Sequence, residues 1–520
     1  MSVTVFVPRD SFAMALGADR VAQAIAVEAA ARGLAVRVVR NGSRGMAWLE
    51  PFVEVQTPAG RTGYGPVSVR DVESLFAAGF LQGGAHPLAH GAVDAMPWLA
   101  RQERLTYARV GVTDPLSLDD YLAHDGFRGL RRALGMAPGA VVEEVVASGL
   151  RGRGGAAFPT GIKWRTVAGA EAPRKYIACN ADEGDSGTYS DRMIMEGDPY
   201  VLIEGMAIAG YAVGATYGYI YTRSEYPLAI ATLEEAIRRA RAAGWLGADI
   251  QGSGVSFDLE VRMGAGAYIC GEETAMLESL EGKRGQIRPK PPLPALKGLF
   301  GMPTVVNNVI SLATVPIILD RGGAFYAEFG MGRSRGTLPI QLAGNLRTPG
   351  LVEKAFGVTL RELVEDWGGG TASGRPVRAV QVGGPLGAYF DASLLDLPLD
   401  YEAFAKEQGI VGHGGIVVFD DTVDMAEQAR YAMEFCAIES CGKCTPCRIG
   451  STRGRELIER IIRGEDVAAS HAQLLALCDV MEHASLCALG GMAPLPVLSA
   501  LRFFPGDFGL AGDREVAHVG

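Results

Sequence analysis

The 520-residue sequence predicts a multidomain α/β protein that ends in a helical, metal-binding region. Three observations carry that prediction. Strand-like and helix-like patterns alternate from the N-terminus onward. Glycine, at 69 residues, is used about twice as often as usual without a collagen period. The eight cysteines are lopsided: none lies in the first 178 residues, and six follow residue 435. A disulfide framework would not be so uneven in a chain this long, so metal binding is the better reading. The apolar share of 48% and charged share of 21% describe a globular chain, and a net charge of −10 argues against a general nucleic-acid binder. The first ten residues lack the basic start of a signal peptide. The most apolar stretch, Val201 to Tyr221, contains Glu204 and four glycines, so membrane insertion is not expected and a cytoplasmic location is.

Residues 3–8 (VTVFVP) read as a strand, Asp19 to Arg32 as a helix stopped at Gly33, and Leu34 to Arg40 as a second strand, forming a βαβ unit. Val53 to Val55, the turn-rich TPAGRTGYGP and a helix from Asp71 to Ala78 complete a thioredoxin-like domain over 1–105 that carries no cysteine. Residues 83–110 read as a linker. Over 111–334, helices (Val141–Ser148, Leu228–Ala243, Thr274–Leu280) and strands (Lys175–Cys179, Tyr217–Tyr221, Phe257–Arg262) are separated by Gly-rich loops, an α/β layered domain. Over 335–420, LPIQLAG and VRAVQVGG lie on either side of a helix from Thr359 to Asp366, a small α+β module. The remainder, 421–520, is helical apart from a cysteine loop.

That loop, Cys441-Gly-Lys-Cys444-Thr-Pro-Cys447, is the sharpest signal, with Cys487 arriving 40 residues later. Two consecutive two-residue gaps plus a distant cysteine suit a [4Fe–4S] cluster, since one tight loop reaches three corners of a cube. Zinc more often takes two separate Cys-x2-Cys knuckles and is the weaker alternative. Cys478 competes as fourth ligand but sits in an apolar helical run, like Cys436, where buried structural thiols are common.

The run from Gly149 to Pro159 holds Gly152, Gly154 and Gly155, but it follows a helix-like segment and so fails the context of a dinucleotide fingerprint. Its backbone N–H groups still suit phosphate, with Arg151, Arg153 and Lys163 adding charge. A second glycine loop, Gly264 to Gly271, leads through Glu272 and Glu273 into a helix; these are helix-start acids or acceptors for ribose hydroxyls. The strand KYIAC runs into Asn180, Asp182 and Glu183, and Pro303 to Val306 into Asn307 and Asn308: Asx-rich turns, or polar ends of strands facing a ligand. None of the seven histidines pairs in sequence with a Ser or Asp, so no triad and no histidine metal site is expected.

Together, GLRGRGGAAFPTGIKW (149–164), CNADEGDSGTYSDR (179–192), GAGAYICGEETAMLESLEG (264–282), RPKPPLPALKGLFGMPTVVNN (288–308) and ESCGKCTPCRIG (439–450) resemble the family of NADH-binding flavoprotein subunits of respiratory complex I. The resemblance implies a Rossmann-like FMN-binding α/β domain over 111–334, a ubiquitin-like β-grasp module over 335–420 and a helical bundle with [4Fe–4S] over 421–520. It implies FMN against Gly152, Gly154, Gly155, Lys163, Asn180, Asp182, Glu183, Gly271, Asn307 and Asn308, and NAD(H) against Phe158, Glu272, Glu273 and Lys290. Cluster ligands are Cys441, Cys444, Cys447 and Cys487. Within the family the chain is most similar to diaphorase (beta) subunits of molybdenum-dependent, NAD-linked formate dehydrogenases, because its front 100 residues lack the cysteines that cluster-bearing relatives place near Arg40 to Gly45. The implied partners are a [2Fe–2S] thioredoxin-like gamma subunit and a molybdenum/iron–sulfur alpha subunit. A hydrogenase diaphorase, a complex I subunit and a non-catalytic iron–sulfur scaffold are the alternatives. Arg165-Thr166-Val167, Leu293 and Ile310 depart from the family pattern around the dinucleotide. No arginine adjoins Glu272 and Glu273, which favours NAD over NADP.

Overall fold

A computed structural model describes residues 2–510 of the chain; the end of the expected helical region, 511–520, lies outside them. The first sheet is built from β1 (Val3–Phe6), β2 (Val36–Val39), β3 (Val53–Thr57), β4 (Gly60–Tyr64) and β5 (Ala89–Ala92), in the order β2-β1-β3-β4-β5. β1 and β2 are parallel, joined by the helix Ala18–Ala31, which buries Val21, Ile25 and Ala29 on one face and ends before Gly33 at φ 66°. Two expectations are corrected here. The turn-rich run after Val55 is a β3–β4 hairpin, turned at Gly60, whose φ of 113° suits glycine. Residues 83–110 are more than a linker: they add edge strand β5 and a helical turn, Pro97–Ala100. Trp98 from that turn meets Trp48 edge-on at 4.4 Å and Trp367 at 5.3 Å between ring centres, joining the first sheet to the third.

The second sheet holds β6 (Tyr176–Ala181), β7 (Tyr217–Thr222), β8 (Asp258–Met263) and β9 (Thr304–Asn308), all parallel, in the order β8-β7-β6-β9. The apolar stretch from Val201 is a helix, Pro199–Val213, buried almost all round, as its lack of a polar face requires. Its one acid, Glu204, is satisfied by Tyr121 Oη at 2.5 Å and by the backbone N–H groups of Phe127 and Leu130. Among the described residues no helix is long and apolar enough to cross a membrane. From β6 the chain steps one way to β7 and β8, then returns to β9 on the other side. Such a reversal opens a crevice at the carboxyl ends of β6 and β9.

A two-stranded ribbon, β10 (Gly330–Met331) and β11 (Ser334–Arg335), leads to the third sheet. Its strands are β12 (Thr337–Gly344), β13 (Gly350–Ala355), β14 (Val377–Val382), β15 (Ala388–Asp391) and β16 (Gly415–Asp420), ordered β13-β12-β16-β14-β15, with β12 and β16 parallel. The helix expected over Thr359–Asp366 is corrected in winding: it is a π-helix over Glu362–Trp367, entered through a reciprocal Thr359–Glu362 cap. Helices Met425–Glu439, Thr445–Ile462 and Val467–Ala484 then pack around Met433, Cys436, Ile458, Leu474, Cys478 and Met481. The short helices Ala488–Met492 and Pro494–Phe503 close the bundle.

Candidate functional site

Cys441 and Cys444 lie in the loop between the first two helices of the bundle, and Cys447 lies in the first turn of Thr445–Ile462. Cys487 stands at the start of Ala488–Met492. Gly490 permits that approach, since a Cβ there would sit 2.7 Å from Cys447 Cβ. Cys441 and Cys444 each push up the Cys447 thiol, after burial, and Cys447 in turn adds to the rise of Cys487, whose thiol burial takes to about 11. The N–H groups of Leu489 and Gly490 pull Cys487 the other way, so donors for a bound thiolate are in place. Only one set of three ligand atoms among the described residues lies within 4.8 Å of one another, and it contains no cysteine. Four sulfurs on one zinc, at about 2.3 Å each, would lie closer together than that. The cysteines are therefore not gathered as tightly as the ligands of a single zinc, and a [4Fe–4S] cluster, in which each iron takes its own thiolate, makes no such demand. Cys478 is a buried thiol raised to about 12 by burial, with Glu482 as its charged neighbour and none of the four cysteines.

The crevice at the ends of β6 and β9 gathers most of the expected flavin residues. Asn180 Nδ2 donates to Gly271 O at 2.7 Å, which draws the second glycine loop over β6. Asp182 follows; burial pushes its carboxyl up to about 7 against the pull of Arg223, and Oδ2 is buried with no partner. A Cβ at Gly154 would be 2.9 Å from Asn308 Cβ, so the first glycine loop lies directly on the end of β9. Asn307 Oδ1 accepts from Trp164 Nε1 at 2.8 Å, and Asn308 caps the helix Val309–Arg321 through Ile310 N. Lys163 Nζ donates to Val306 O at 2.8 Å and stands 3.8 Å from Glu273. An orphaned carboxylate oxygen, glycines at the crevice in both loops and the amides of Asn180, Asn307 and Asn308 fit a flavin with its phosphate.

Three expected contributions differ. Arg153 is buried and turned away, donating to Tyr326 Oη and Arg335 O, and Arg151 pairs with Glu402 at 2.6 Å, so of the three cations only Lys163 faces the crevice. Glu183 turns its carboxylate inward, accepting from Asp191 N, Arg192 N and Tyr226 Oη, while its carbonyl accepts from Arg223. No histidine pairs with a Ser or Asp in the sequence, yet the fold brings His413 to both. Its Nε2 stands 2.7 Å from Ser190 Oγ, 3.2 Å from Glu183 Oε1 and 3.3 Å from Asp191 Oδ1. More than 220 residues separate the partners, so no local spacing shows the contact.

Phe158 is half exposed beside the first loop. Glu272 Oε2 caps the helix Glu273–Leu280 through Thr274 N and Ala275 N, and its Oε1 accepts from Lys290 at 2.9 Å. Lys290 also reaches Glu273 at 2.6 Å, so two ammonium groups, on Lys163 and Lys290, adjoin the acids where no arginine does. The segment carrying these acids touches the cysteine loop: Gln286 Nε2 donates to Cys441 O, Lys443 Nζ to Ile287 O, and Tyr268 N to Glu439. Crevice and cysteine site are thereby neighbours.

Residues 145–317 match the Nuo51 FMN-binding domain, and residues 427–510 the NADH-ubiquinone oxidoreductase-F iron–sulfur binding region. The chain is similar to NADP-reducing hydrogenase subunit HndC of Solidesulfovibrio fructosivorans, 46% identical over 78% of this chain and 83% of that one. It is similar to the F 2 subunit of NADH-quinone oxidoreductase in Rhizobium meliloti, 46% identical over 80% of this chain and 98% of that one. The F subunit of the same enzyme in Escherichia coli is 41% identical over 76% of this chain and 89% of that one. Among solved structures, NAD+-reducing [NiFe]-hydrogenase in the H2-reduced state aligns with a TM-score of 0.69 and 29% identity, over 97% of this chain and 83% of that chain.

Proposed function

The chain belongs to the family of NADH-binding subunits in which an FMN domain is followed by a [4Fe–4S] region, and from that membership we propose that it is the diaphorase subunit of a formate-oxidising enzyme. In this reading electrons from formate, released in a molybdenum partner subunit, enter through the cluster and leave on NAD. Flavin supplies the conversion between single electrons and hydride. The single observation that carries the exchange itself is that the crevice and the start of the cysteine loop, Glu439 to Lys443, are tied to one segment, 268–288. The chain's residues supply the rest. Gly154 and Gly271 leave room for the flavin, Cys441, Cys444, Cys447 and Cys487 hold the cluster, and Phe158, Glu272, Glu273 and Lys290 receive the dinucleotide. Reducing NAD takes two electrons and one proton, and Asp182 Oδ2, titrating near 7, is placed to hold that proton.

The formate partner is supported by the front of the chain. The Rhizobium meliloti relative leaves a fifth of this chain unmatched, whereas the hydrogenase chain covers nearly all of it and is itself longer. A front sheet without cysteine fits the resemblance to formate-linked diaphorases, which implies a [2Fe–2S] gamma subunit and a molybdenum alpha subunit as partners and a cytoplasmic location. The coverage by the hydrogenase chain favours a second reading, a hydrogenase diaphorase. Purifying the complex through a tag on this chain separates the two. Molybdenum and formate-dependent NAD reduction are expected; nickel and hydrogen-dependent reduction would replace the formate reading. A chain isolated without FMN would point instead to an iron–sulfur scaffold.

Dinucleotide choice gives a further expected result. Glu273 beside the adenosine ribose repels the extra phosphate of NADP, and its charge restrains Lys163 and, together with Glu272, Lys290 from attracting it. Glu273→Gln is expected to retain flavin and to raise kcat/KM for NADPH relative to NADH by on the order of tenfold, about 1.4 kcal/mol. An unmoved ratio would leave Glu273 as a helix-start acid alone.

A further inference from the structure

The third sheet delivers one charged side chain into the wall of the flavin crevice. His413 lies just before β16 and is almost fully buried. Its Nε2 meets the Ser190 hydroxyl and the carboxylates of Glu183 and Asp191, all three on the segment that runs on from β6. Asp191 also accepts from Asn308 Nδ2 at 2.7 Å, so the trio is joined to the end of β9. The two bodies are clamped around it. Gln341 on β12 accepts from the N–H groups of Tyr189 and Ser190 and donates to His413 O. A Cβ at Gly415 would lie 2.6 Å from Thr188, and one at Gly384 2.5 Å from Asp185.

The geometry points to His413 as a positioning residue that holds Glu183 and Asp191 together by setting one positive charge between two carboxylates, so that closure of the crevice wall depends on its imidazole staying protonated. The inference rests on the flavin reading of this crevice. Two buried carboxylates that share a site repel each other and cannot both ionise without a cation. Burial opposes a charged imidazole, yet the two acids outweigh it and hold His413 well above the ordinary histidine range. In return the imidazolium holds Glu183 below the usual carboxylate range despite its burial, while burial leaves Asp191 at about 6. Other groups facing the trio are Asp185, Arg192 and Arg223, with the phenols of Tyr107, Tyr189 and Tyr226 and the thiol of Cys179. Three ligand atoms this close also suit a divalent ion. The Ser190 hydroxyl, 2.7 Å from Nε2, stands in the space that an ion bound to that nitrogen would take, which favours a proton.

The sign follows from the pairing. His413 has a raised pKa in the folded chain, so its contribution is complete below the unfolded value and is lost only as pH rises through the folded one. His413→Gln leaves the two acids to share a proton that they lose with rising pH. In the full chain, between about pH 6 and about pH 9, the variant is expected to lose at least about tenfold in FMN affinity, against less than about threefold for the parent. Its melting temperature without added FMN is expected to fall away from the parent's over the same range. His413→Gln combined with Asp191→Asn removes one charge of each sign and is expected to restore the flat profile, which a purely steric loss would not allow. Parallel melting profiles for His413→Gln and parent would overturn the proposal, as would a double variant as pH-sensitive as the single one. One equivalent of divalent metal in the parent, absent from His413→Gln, would overturn it too. Melting that diverges while FMN affinity does not would uphold the trio and defeat the flavin reading of this wall.

Discussion

Cys444→Ser is expected to bring bound iron to background and to end electron exchange with any partner, while FMN stays bound and NADH-to-dye turnover persists. A serine oxygen is a poor substitute for thiolate on iron–sulfur clusters. Cys444 sits in the loop immediately before Thr445–Ile462, between Cys441 and Cys447, and the two other thiols of the bundle, Cys436 beside Cys447 and Cys478, are buried and locked inside helices. Flavin persists because its crevice is built from β6, β9 and two glycine loops, not from the bundle. The bundle itself should melt earlier, as binding energy at such a site is also folding energy. Iron and flavin measured per chain decide it, with Cys478→Ala as companion: that change leaves iron intact and costs about 1 kcal/mol for the small cavity. A full complement of iron in Cys444→Ser would remove it from the ligand set.

Gly154→Val is the converse, with flavin lost and iron retained. Its Cβ would start 2.9 Å from Asn308 Cβ, and Asn308 cannot retreat, because it caps Val309–Arg321 on one side and donates to Asp191 on the other. The branched side chain must therefore displace the loop. A loss of at least about a hundredfold in FMN affinity, about 2.7 kcal/mol, is expected, and NADH-to-dye turnover falls with it. Gly139→Ala, on a helix where a Cβ meets nothing within 4 Å, is the control and should keep its flavin. Flavin released on denaturation measures both. Equal flavin in Gly154→Val and parent would move the flavin away from this loop.

What was legible in the sequence was local. The cysteine spacing, the helix before Gly149 and the acids and amides ending KYIAC and TVVNN all stand where periodicity and turn chemistry place them. Elements without an apolar rhythm were not legible. β5 (AHGA) is a short, mostly exposed edge strand, and β4 (GRTGY) pairs through its backbone, so neither alternates as a half-buried strand would. Side-chain direction was not legible either. Arg153 looks like a phosphate ligand beside its glycines, but a buried phenol and a backbone carbonyl claim it. The His413 trio is the extreme case, since it exists only once β16 lies beside β12 and the Ser190 segment beneath both.

The tie between segment 268–288 and the cysteine loop bears on electron tunnelling, whose rate falls exponentially with the gap it crosses. Two redox centres on separately hinged bodies would see that gap vary with every slow domain motion. Here the Gln286–Cys441 and Lys443–Ile287 bonds make one stretch of backbone both the wall of the flavin crevice and a brace for the cluster loop. The bracing acts as a strut, and motion elsewhere in the molecule is expected to change the tunnelling distance less than it would across a free hinge.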